Sequence, residues 1–138
     1  MGGSPSMKGP SSQAPSALAC GLLEDGGRAL FLCRKSLKGA ETVELPCCLL
    51  FKGENPVAKL AEVFRMATGI DAQVHDVLFE RRYSIGSRRR KTRIPALVFG
   101  ISAKSHKANP FADYSGCRWI ASKDLAKHRL AKSCEWLR

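Results

Sequence analysis

Apolar and polar residues near the start of the chain follow a pattern that predicts a β-hairpin. An apolar run over residues 18–23 leads into Glu24-Asp25-Gly26-Gly27, and a second strand-like run covers residues 28–34. Because glycine readily adopts the positive φ of a tight turn, the two runs are expected to pair. A further extended stretch is predicted over residues 43–51, with a break at the proline in its middle.

The pattern then changes to a helical period. Asn55 is a preferred N-cap, Pro56 suits the first helical position, and Gly69 suits the left-handed residue that ends a helix. We therefore predict a helix over Pro56–Thr68. Apolar residues recur three and four positions apart within it, which predicts a stripe that packs into a core. The stripe consists of Val57, Leu60, Ala61, Phe64 and Ala67.

Three more extended segments are predicted over residues 74–83, 94–102 and 117–121. The first two flank a cation-rich stretch at residues 87–93, which is predicted to be a hairpin loop. A last helix is predicted after Ser122, a candidate N-cap. This order of strands, helix, strands and helix predicts an α+β fold, an α/β/α sandwich around a mixed β-sheet.

Composition and the first residues indicate a single domain. The chain has 138 residues, of which 44% are hydrophobic and 25% charged, as is typical of a globular domain. Residues 1–17 are rich in Gly, Ser and Pro, so we predict a disordered leader there and one domain over residues 18–138. The leader lacks the apolar segment of a secretory signal, and no run approaches the roughly 18 apolar residues that cross a bilayer. No membrane partner is therefore expected.

The cysteine pattern favours buried free thiols over disulfides or a zinc site. Several of the cysteines lie inside apolar strand-like runs, and no two of them form a Cys-x-x-Cys pair. Together with the missing secretory signal, this predicts a reducing, cytoplasmic location. The six residues are Cys20, Cys33, Cys47, Cys48, Cys117 and Cys134.

A formal net charge of +11 favours polyanionic partners. The densest group of cations lies at the predicted hairpin loop, where arginine side chains can form bidentate contacts with phosphate. The alternative is a solvated hairpin tip that prevents pairing at the sheet edge. The phosphate-binding candidates in this loop are Arg88, Arg89, Arg90, Lys91 and Arg93.

From residue 18 onward the chain resembles the Nudix family. Residues 19–34 are similar to its opening hairpin, Glu44-Leu45-Pro46 to the entry of its signature loop, and Cys117-Arg118-Trp119-Ile120 to its closing strand. The signature is a glycine, five residues, a glutamate, seven residues, and then Arg-Glu-U-x-Glu-Glu-x-Gly-U, where U is bulky and aliphatic. With Gly69 and Ile70 as the last pair, Cys48 replaces the first glycine. Glu54 then matches the first glutamate.

The resemblance implies a Mg²⁺-dependent hydrolase of nucleoside diphosphate derivatives, in which carboxylates of the helix hold the metal against the diphosphate. Glu54 and Glu62 are the catalytic and metal-binding candidates under this interpretation, although Glu62 stands at the arginine of the signature. By the same resemblance, Arg34 is a candidate phosphate ligand. The three other glutamate positions carry no side-chain oxygen, so the ligand set for Mg²⁺ is incomplete. They are occupied by Val63, Met66 and Ala67.

Three functions remain open at this point. The first is a Nudix-like domain that lacks standard Mg²⁺-dependent hydrolysis and binds the phosphate of a nucleotide or RNA. The second is an atypical active hydrolase that completes its metal site with acids such as Glu80 or Asp113. The third is a protein-interaction domain that uses the apolar helix face around Val63 and Met66. Another part of the chain is expected to cover that face unless a partner does.

Overall fold

The computed structural model describes residues 14–111 and 113–137. Within these residues the chain forms seven strands, one α-helix and two 3-10 helices. In chain order they are β1 (Ala17–Asp25), β2 (Arg28–Lys35), β3 (Glu41–Glu44), β4 (Cys47–Leu50), α1 (Pro56–Thr68), β5 (Gln73–Gly86), β6 (Lys91–Ser102), β7 (Gly116–Ala121), η1 (Ser122–Lys127) and η2 (Lys132–Leu137).

The strands form one mixed sheet with the order β3-β2-β1-β6-β5, in which β4 also pairs with β1 and β7 with β2. Strands β1 and β6 are parallel, and the other named pairs are antiparallel. Strands β1 and β2 pair beside their shared turn, where Gly26 and Gly27 have φ angles of 62° and 81°. The predicted hairpin and the predicted mixed-sheet fold class are therefore confirmed.

Alternation along β1 divides the core into two layers. Ala17, Ala19 and Leu23 face a core that includes residues of α1. Leu18 and Cys20 face a second core that includes residues of η2. Because successive strand residues point to opposite faces, the sheet lies between α1 on one side and the 3-10 helices on the other.

Helix α1 begins and ends at the predicted residues. The Asn55 side chain accepts a hydrogen bond from the Ala58 amide at 3.1 Å, which satisfies an amide that has no partner within the helix. Gly69 is left-handed, with a φ of 75°. The amide of Asn109 donates to the Thr68 carbonyl at 2.7 Å, so the loop before β7 covers the end of the helix.

The predicted apolar stripe of α1 is confirmed in part. Leu60, Phe64 and Ala67 are buried, and Ala61 is half-buried. The prediction is wrong for Val57, which is 43% exposed because it lies in the first turn, before the helix makes its buried contact with the sheet.

Phe64 lies against Gly21 of β1. A Cβ atom built on Gly21 would lie 2.8 Å from Cδ2 of Phe64 and 3.0 Å from Cγ1 of Ile101. No side chain larger than hydrogen fits there without movement, so this glycine sets how closely α1 approaches the sheet.

The predicted last helix is wrong. Two 3-10 helices occupy the segment, and no side chain caps the first of them. Between them the backbone pairs with β3: the Val43 amide donates to the Arg129 carbonyl at 2.8 Å, and the Ala131 amide donates to the Val43 carbonyl at 2.9 Å. These long-range bonds take backbone groups that a continuous helix would need.

All six thiols are free, and Cys20, Cys33 and Cys134 are buried while the other three are half-buried. Strand β1 begins at Ala17, and the Ser16 amide donates to the Leu50 carbonyl at 2.7 Å. Residues 1–13 lie outside the described residues, so the disordered leader stays a prediction. In the part of the chain that the structure describes, no helix is long and apolar enough to span a bilayer.

Replacing Gly21 with alanine tests the contact between α1 and the sheet. Gly21→Ala should lower the free energy of unfolding by about 1–3 kcal/mol, because the new methyl group overlaps the Phe64 ring. Adding Phe64→Leu should recover part of this loss, so that the two changes are not additive in chemical denaturation. Gly116→Ala is the control, since a Cβ there meets no atom within 4 Å. Strictly additive losses at residues 21 and 64 would contradict the assigned contact.

Candidate functional site

The basic hairpin forms as predicted, but its strands are longer than expected. Strand β5 continues to Gly86 and β6 begins at Lys91, so the loop shortens to residues 87–90. The Arg90 amide donates to the Ser87 carbonyl at 3.1 Å and closes the turn. A Cβ on Gly86 would lie 2.1 Å from the Arg90 carbonyl oxygen, so glycine is required at the entrance to this turn.

All five predicted phosphate-binding residues of the hairpin are exposed. Arg88, Arg89 and Arg90 lie in the turn. Lys91 and Arg93 lie in β6, opposite Gly86 and Ser84 of β5, and therefore project from one face of the hairpin. The structure thus brings the five cations to the same end of the sheet.

A cleft of about 240 Å³ separates the hairpin from η2. Tyr83 of β5 and Trp136 of η2 are half-buried in it, and both pack against the core on the η2 side of the sheet. The indole Nε1 of Trp136 donates to the carbonyl of Ser133, which holds the ring in place. The cleft is lined by Arg82, Tyr83, Ser84, Gly86, Lys91, Lys132, Glu135 and Trp136.

Arg34 does not line this cleft. It lies at the end of β2, and its Nε donates to Oε1 of Glu44 at 3.1 Å. Its guanidinium also lies 4.4 Å from the centre of the Tyr114 ring. Burial raises the pKa of Glu44, and the opposing charge of Arg34 pulls that pKa back down. Arg34 is therefore occupied by a carboxylate and an aromatic ring within the chain.

The Glu54 carboxylate is occupied as well. It accepts two hydrogen bonds from the Lys59 ammonium, at 2.9 and 3.0 Å, and one from the Phe51 amide at 2.7 Å. The Lys59 ammonium donates a further bond to the Leu49 carbonyl at 2.9 Å. The hydrogen bond from Lys59, followed by that from the Phe51 amide, lowers the pKa of Glu54. A lysine therefore supplies the positive charge beside this glutamate.

Glu62 is exposed on α1, eight residues after Glu54, which precedes the helix. Val63 is half-buried, Met66 is 48% exposed and Ala67 is buried. We expected another part of the chain to cover this apolar face. For Met66 that expectation is wrong, since nothing within residues 14–111 and 113–137 covers its side chain fully. Among the residues that the structure describes, Glu54 and Glu62 do not form a metal-binding group with a third acid.

Acids outside the helix do not complete a metal-binding group. Glu80 lies on β5 opposite Leu97, a residue that packs on the α1 side of the sheet, and Asp113 lies in the loop before β7. Both are exposed. Among the described residues, no three His, Cys, Asp or Glu side chains are arranged to hold a metal ion.

Two features of the site were not predicted from the sequence. Lys132 and Trp136 join the hairpin only because η2 folds back on β5, and no local signal marks that contact. The Lys59–Glu54 pair had a detectable signal, since the two opposite charges stand five positions apart across the helix start.

No family model matches the chain, and no curated protein matches it in sequence. Solved structures do match it.

Three of these structures illustrate the likeness. A NUDIX hydrolase from Nitrosomonas europaea has a TM-score of 0.63 at 13% identity, over 90% of this chain and 86% of that one. A MutT protein from Methanosarcina mazei gives 0.65 at 19%, over 85% of each chain. An ADP-ribose pyrophosphatase from Streptococcus suis gives 0.62 at 11%, over 88% and 84%. A likeness at such identities shows the fold alone, and the chain therefore has the Nudix-like fold that its signature loop and helix frame predict.

Proposed function

We propose that this Nudix-like domain binds the phosphate groups of a nucleotide or RNA at the cleft between the basic hairpin and η2, without standard Mg²⁺-dependent hydrolysis. The observation that carries the proposal is the lining of the cleft, which combines Lys91 and Lys132 with the rings of Tyr83 and Trp136. Cations and aromatic rings are the two kinds of group that single-stranded nucleic acids and nucleotides require.

The cations of the basic hairpin and of η2 are available to a ligand. Within the described residues, none of the six forms an ion pair with a carboxylate of the chain. An anion that binds there therefore displaces water and counterions and does not have to break a salt bridge. The six residues are Arg88, Arg89, Arg90, Lys91, Arg93 and Lys132.

The size of the cleft suits one base or one phosphate group. Its volume of about 240 Å³ is below the range typical of pockets that enclose a whole small molecule. We infer that a base stacks between the hairpin and Trp136 while the phosphates extend along the exposed arginines of the turn. In this arrangement Trp136 and Tyr83 contact the base, and the cations neutralise and orient the phosphates.

The side chains of α1 support the absence of standard hydrolysis. Mg²⁺ prefers oxygen ligands in octahedral geometry, and Val63, Met66 and Ala67 provide none. Glu54 already has Lys59 as its counter-ion, so a metal would have to displace an ammonium that makes three hydrogen bonds. The donor set of α1 therefore does not fit a Mg²⁺ ion.

A protein partner on α1 is the second candidate function. It is favoured by the 48% exposure of Met66 and the 43% exposure of Val57. Scattered apolar residues are common on protein surfaces, so this observation has less weight than the cleft.

Neutralising the turn tests the phosphate contacts. The triple variant Arg88→Gln, Arg89→Gln, Arg90→Gln should weaken binding of ATP and of a short single-stranded RNA by at least tenfold at low salt. The variant should also depend less on salt. The slope of log affinity against log salt concentration should become shallower by about 0.7 for each lost phosphate contact.

The matched control removes the same charge elsewhere, through Lys35→Gln, Lys38→Gln and Lys104→Gln, which are exposed lysines outside the cleft. Equal losses of affinity in both triple variants would mean that net charge alone causes the effect. That result would contradict a local site. A loss for RNA but not for ATP would identify RNA as the ligand, and the reverse would identify a nucleotide.

Changing Trp136 tests the stacking contact separately. Trp136→Ala should weaken ATP binding by about 1–3 kcal/mol and leave binding of inorganic pyrophosphate unchanged, because pyrophosphate has no base to stack. Trp136→Phe should retain most of the ATP affinity. Trp119→Phe is the control, because Trp119 is the second tryptophan of the chain and does not line the cleft. A parallel loss of ATP and pyrophosphate binding in a folded Trp136→Ala protein would contradict the assignment.

A Mg²⁺ titration tests the proposed absence of standard Mg²⁺-dependent hydrolysis. Millimolar Mg²⁺ should cause no saturable change in the NMR signals of the Glu54 and Glu62 carboxyl carbons. A panel of nucleoside diphosphate derivatives should show no Mg²⁺-dependent turnover above that of the Glu54→Gln variant. Saturable shifts at both carboxyls, with turnover that Glu54→Gln abolishes, would establish the atypical hydrolase instead.

A further inference from the structure

One carboxylate lies in the cleft between the basic hairpin and η2. Glu135 lines this cleft together with Lys132 and Trp136 of the same 3-10 helix, and its side chain is exposed. A carboxylate repels phosphate, so it lowers the affinity of the cleft for a ligand that offers phosphate groups alone. The presence of Glu135 therefore favours a ligand that also carries hydrogen-bond donors.

The opposite charges of η2 are not paired with each other. In a 3-10 helix, side chains three positions apart lie above one another, so Lys132 and Glu135 lie on the same side of η2. Within the described residues, neither of them forms an ion pair. The corresponding pair of η1 does form, with the Lys127 ammonium 3.3 Å from Oδ1 of Asp124. In the described part of the chain, the Lys132 ammonium and the Glu135 carboxylate are therefore both available to a ligand.

The neighbouring indole fixes where a base can bind. The Trp136 ring is held by its hydrogen bond to the Ser133 carbonyl, and the buried Cys134 anchors η2 in the core. Glu135 is adjacent to Trp136 and lines the same cleft of about 240 Å³, so a base that stacks on the indole has an edge within reach of the carboxylate. Stacking alone does not distinguish the bases, since each has a π-face. Discrimination between them therefore depends on the polar groups around the ring.

We propose that Glu135 selects guanine as the base that binds in this cleft, an inference that rests on the function proposed above. The Watson–Crick edge of guanine carries two adjacent donors, N1–H and N2–H, and a carboxylate accepts both in a bidentate contact. Adenine presents the lone pair of N1 beside its amino group, so a carboxylate meets one donor and one repelling acceptor. Uracil and cytosine each offer a single donor group on that edge. Guanine is therefore the base that best satisfies a carboxylate.

The other groups of the cleft fit the same ligand. Guanine carries an acceptor, O6, next to N1–H, and the Ser84 hydroxyl on the β5 side of the cleft can donate to it. Lys91 and Lys132 remain for the phosphates. The cleft thus combines a donor for O6, a carboxylate for N1–H and N2–H, and cations for the phosphate groups.

Comparison of guanine and adenine ligands tests the inference. The full chain should bind GTP about tenfold more tightly than ATP, and a short single-stranded RNA with one central guanine about tenfold more tightly than the same RNA with a central adenine. The two members of each pair carry the same phosphates, so the ratio of their affinities should stay constant as salt rises, although both affinities fall. ITP lacks the 2-amino group and should bind with an affinity between those of GTP and ATP.

A change from carboxylate to amide identifies the residue. Glu135→Gln should lower the affinity for GTP by about tenfold and raise that for ATP, because an amide is uncharged and can donate to N1 of adenine. Glu24→Gln is the matched control, since Glu24 is an exposed carboxylate of β1 outside the cleft. It removes the same charge and should leave the ratio of GTP to ATP affinity unchanged.

The binding data distinguish failure of this inference from failure of the proposed function. Equal affinities for GTP and ATP, each weakened by Trp136→Ala, would overturn the choice of guanine and leave the phosphate site in place. A preference for GTP that persists in Glu135→Gln would overturn the role of Glu135. If no nucleotide and no RNA binds, both the proposed function and this inference are contradicted.

Discussion

The approach of Phe64 to Gly21 is the contact on which the arrangement of this molecule depends. With no Cβ on Gly21, the Phe64 ring packs directly on β1, and a methyl group would come within 2.8 Å of it. This contact fixes the distance between α1 and the sheet. The Asn55 cap and the left-handed Gly69 then set the two ends of the helix. The segment from Glu54 to Gly69 is positioned by packing and capping within the chain, and none of these contacts requires a metal.

The two faces of the sheet differ in the groups that they present. On the α1 face, Lys59 pairs with Glu54, and apolar side chains stand at the positions where the family signature has its other glutamates. On the opposite face, Tyr83 and Trp136 lie beside Lys132 and the end of the basic hairpin. The proposed phosphate site therefore lies on the η2 side of the sheet, where Lys91 and Lys132 line one cleft with two aromatic rings. Cys134 lies in the core on this same side and belongs to the 3-10 helix that supplies Trp136.

The sequence was most informative where the determinants of structure are local. The opening hairpin follows from two adjacent glycines, and α1 follows from the Asn55-Pro56 start and Gly69, all within a few residues of the element that they define. The last helix was predicted wrongly because its competitor is distant: Val43 takes backbone hydrogen bonds with residues 129 and 131. Val57 follows the helical period but lies before the buried contact, so periodicity alone overestimated the core.

The candidate site divides in the same way. The five cations of the hairpin were recognisable because they are consecutive or nearly so. Lys132 and Trp136 were not, since only the folding of η2 onto β5 brings them to the cleft. Arg34 was a reasonable phosphate ligand by its position in the chain, and its partners Glu44 and Tyr114 come from β3 and from the loop before β7. A sequence alone does not reveal that a charge already has a partner.

Backbone NMR of the full chain during a titration with a nucleoside diphosphate tests most directly which face of the sheet binds the ligand. The largest shift changes should occur at Tyr83, at Lys91 and at the indole of Trp136, with the amides of residues 53–69 nearly unchanged. Changes confined to residues 53–69, with none at the hairpin or η2, would place the ligand on α1 and contradict this account.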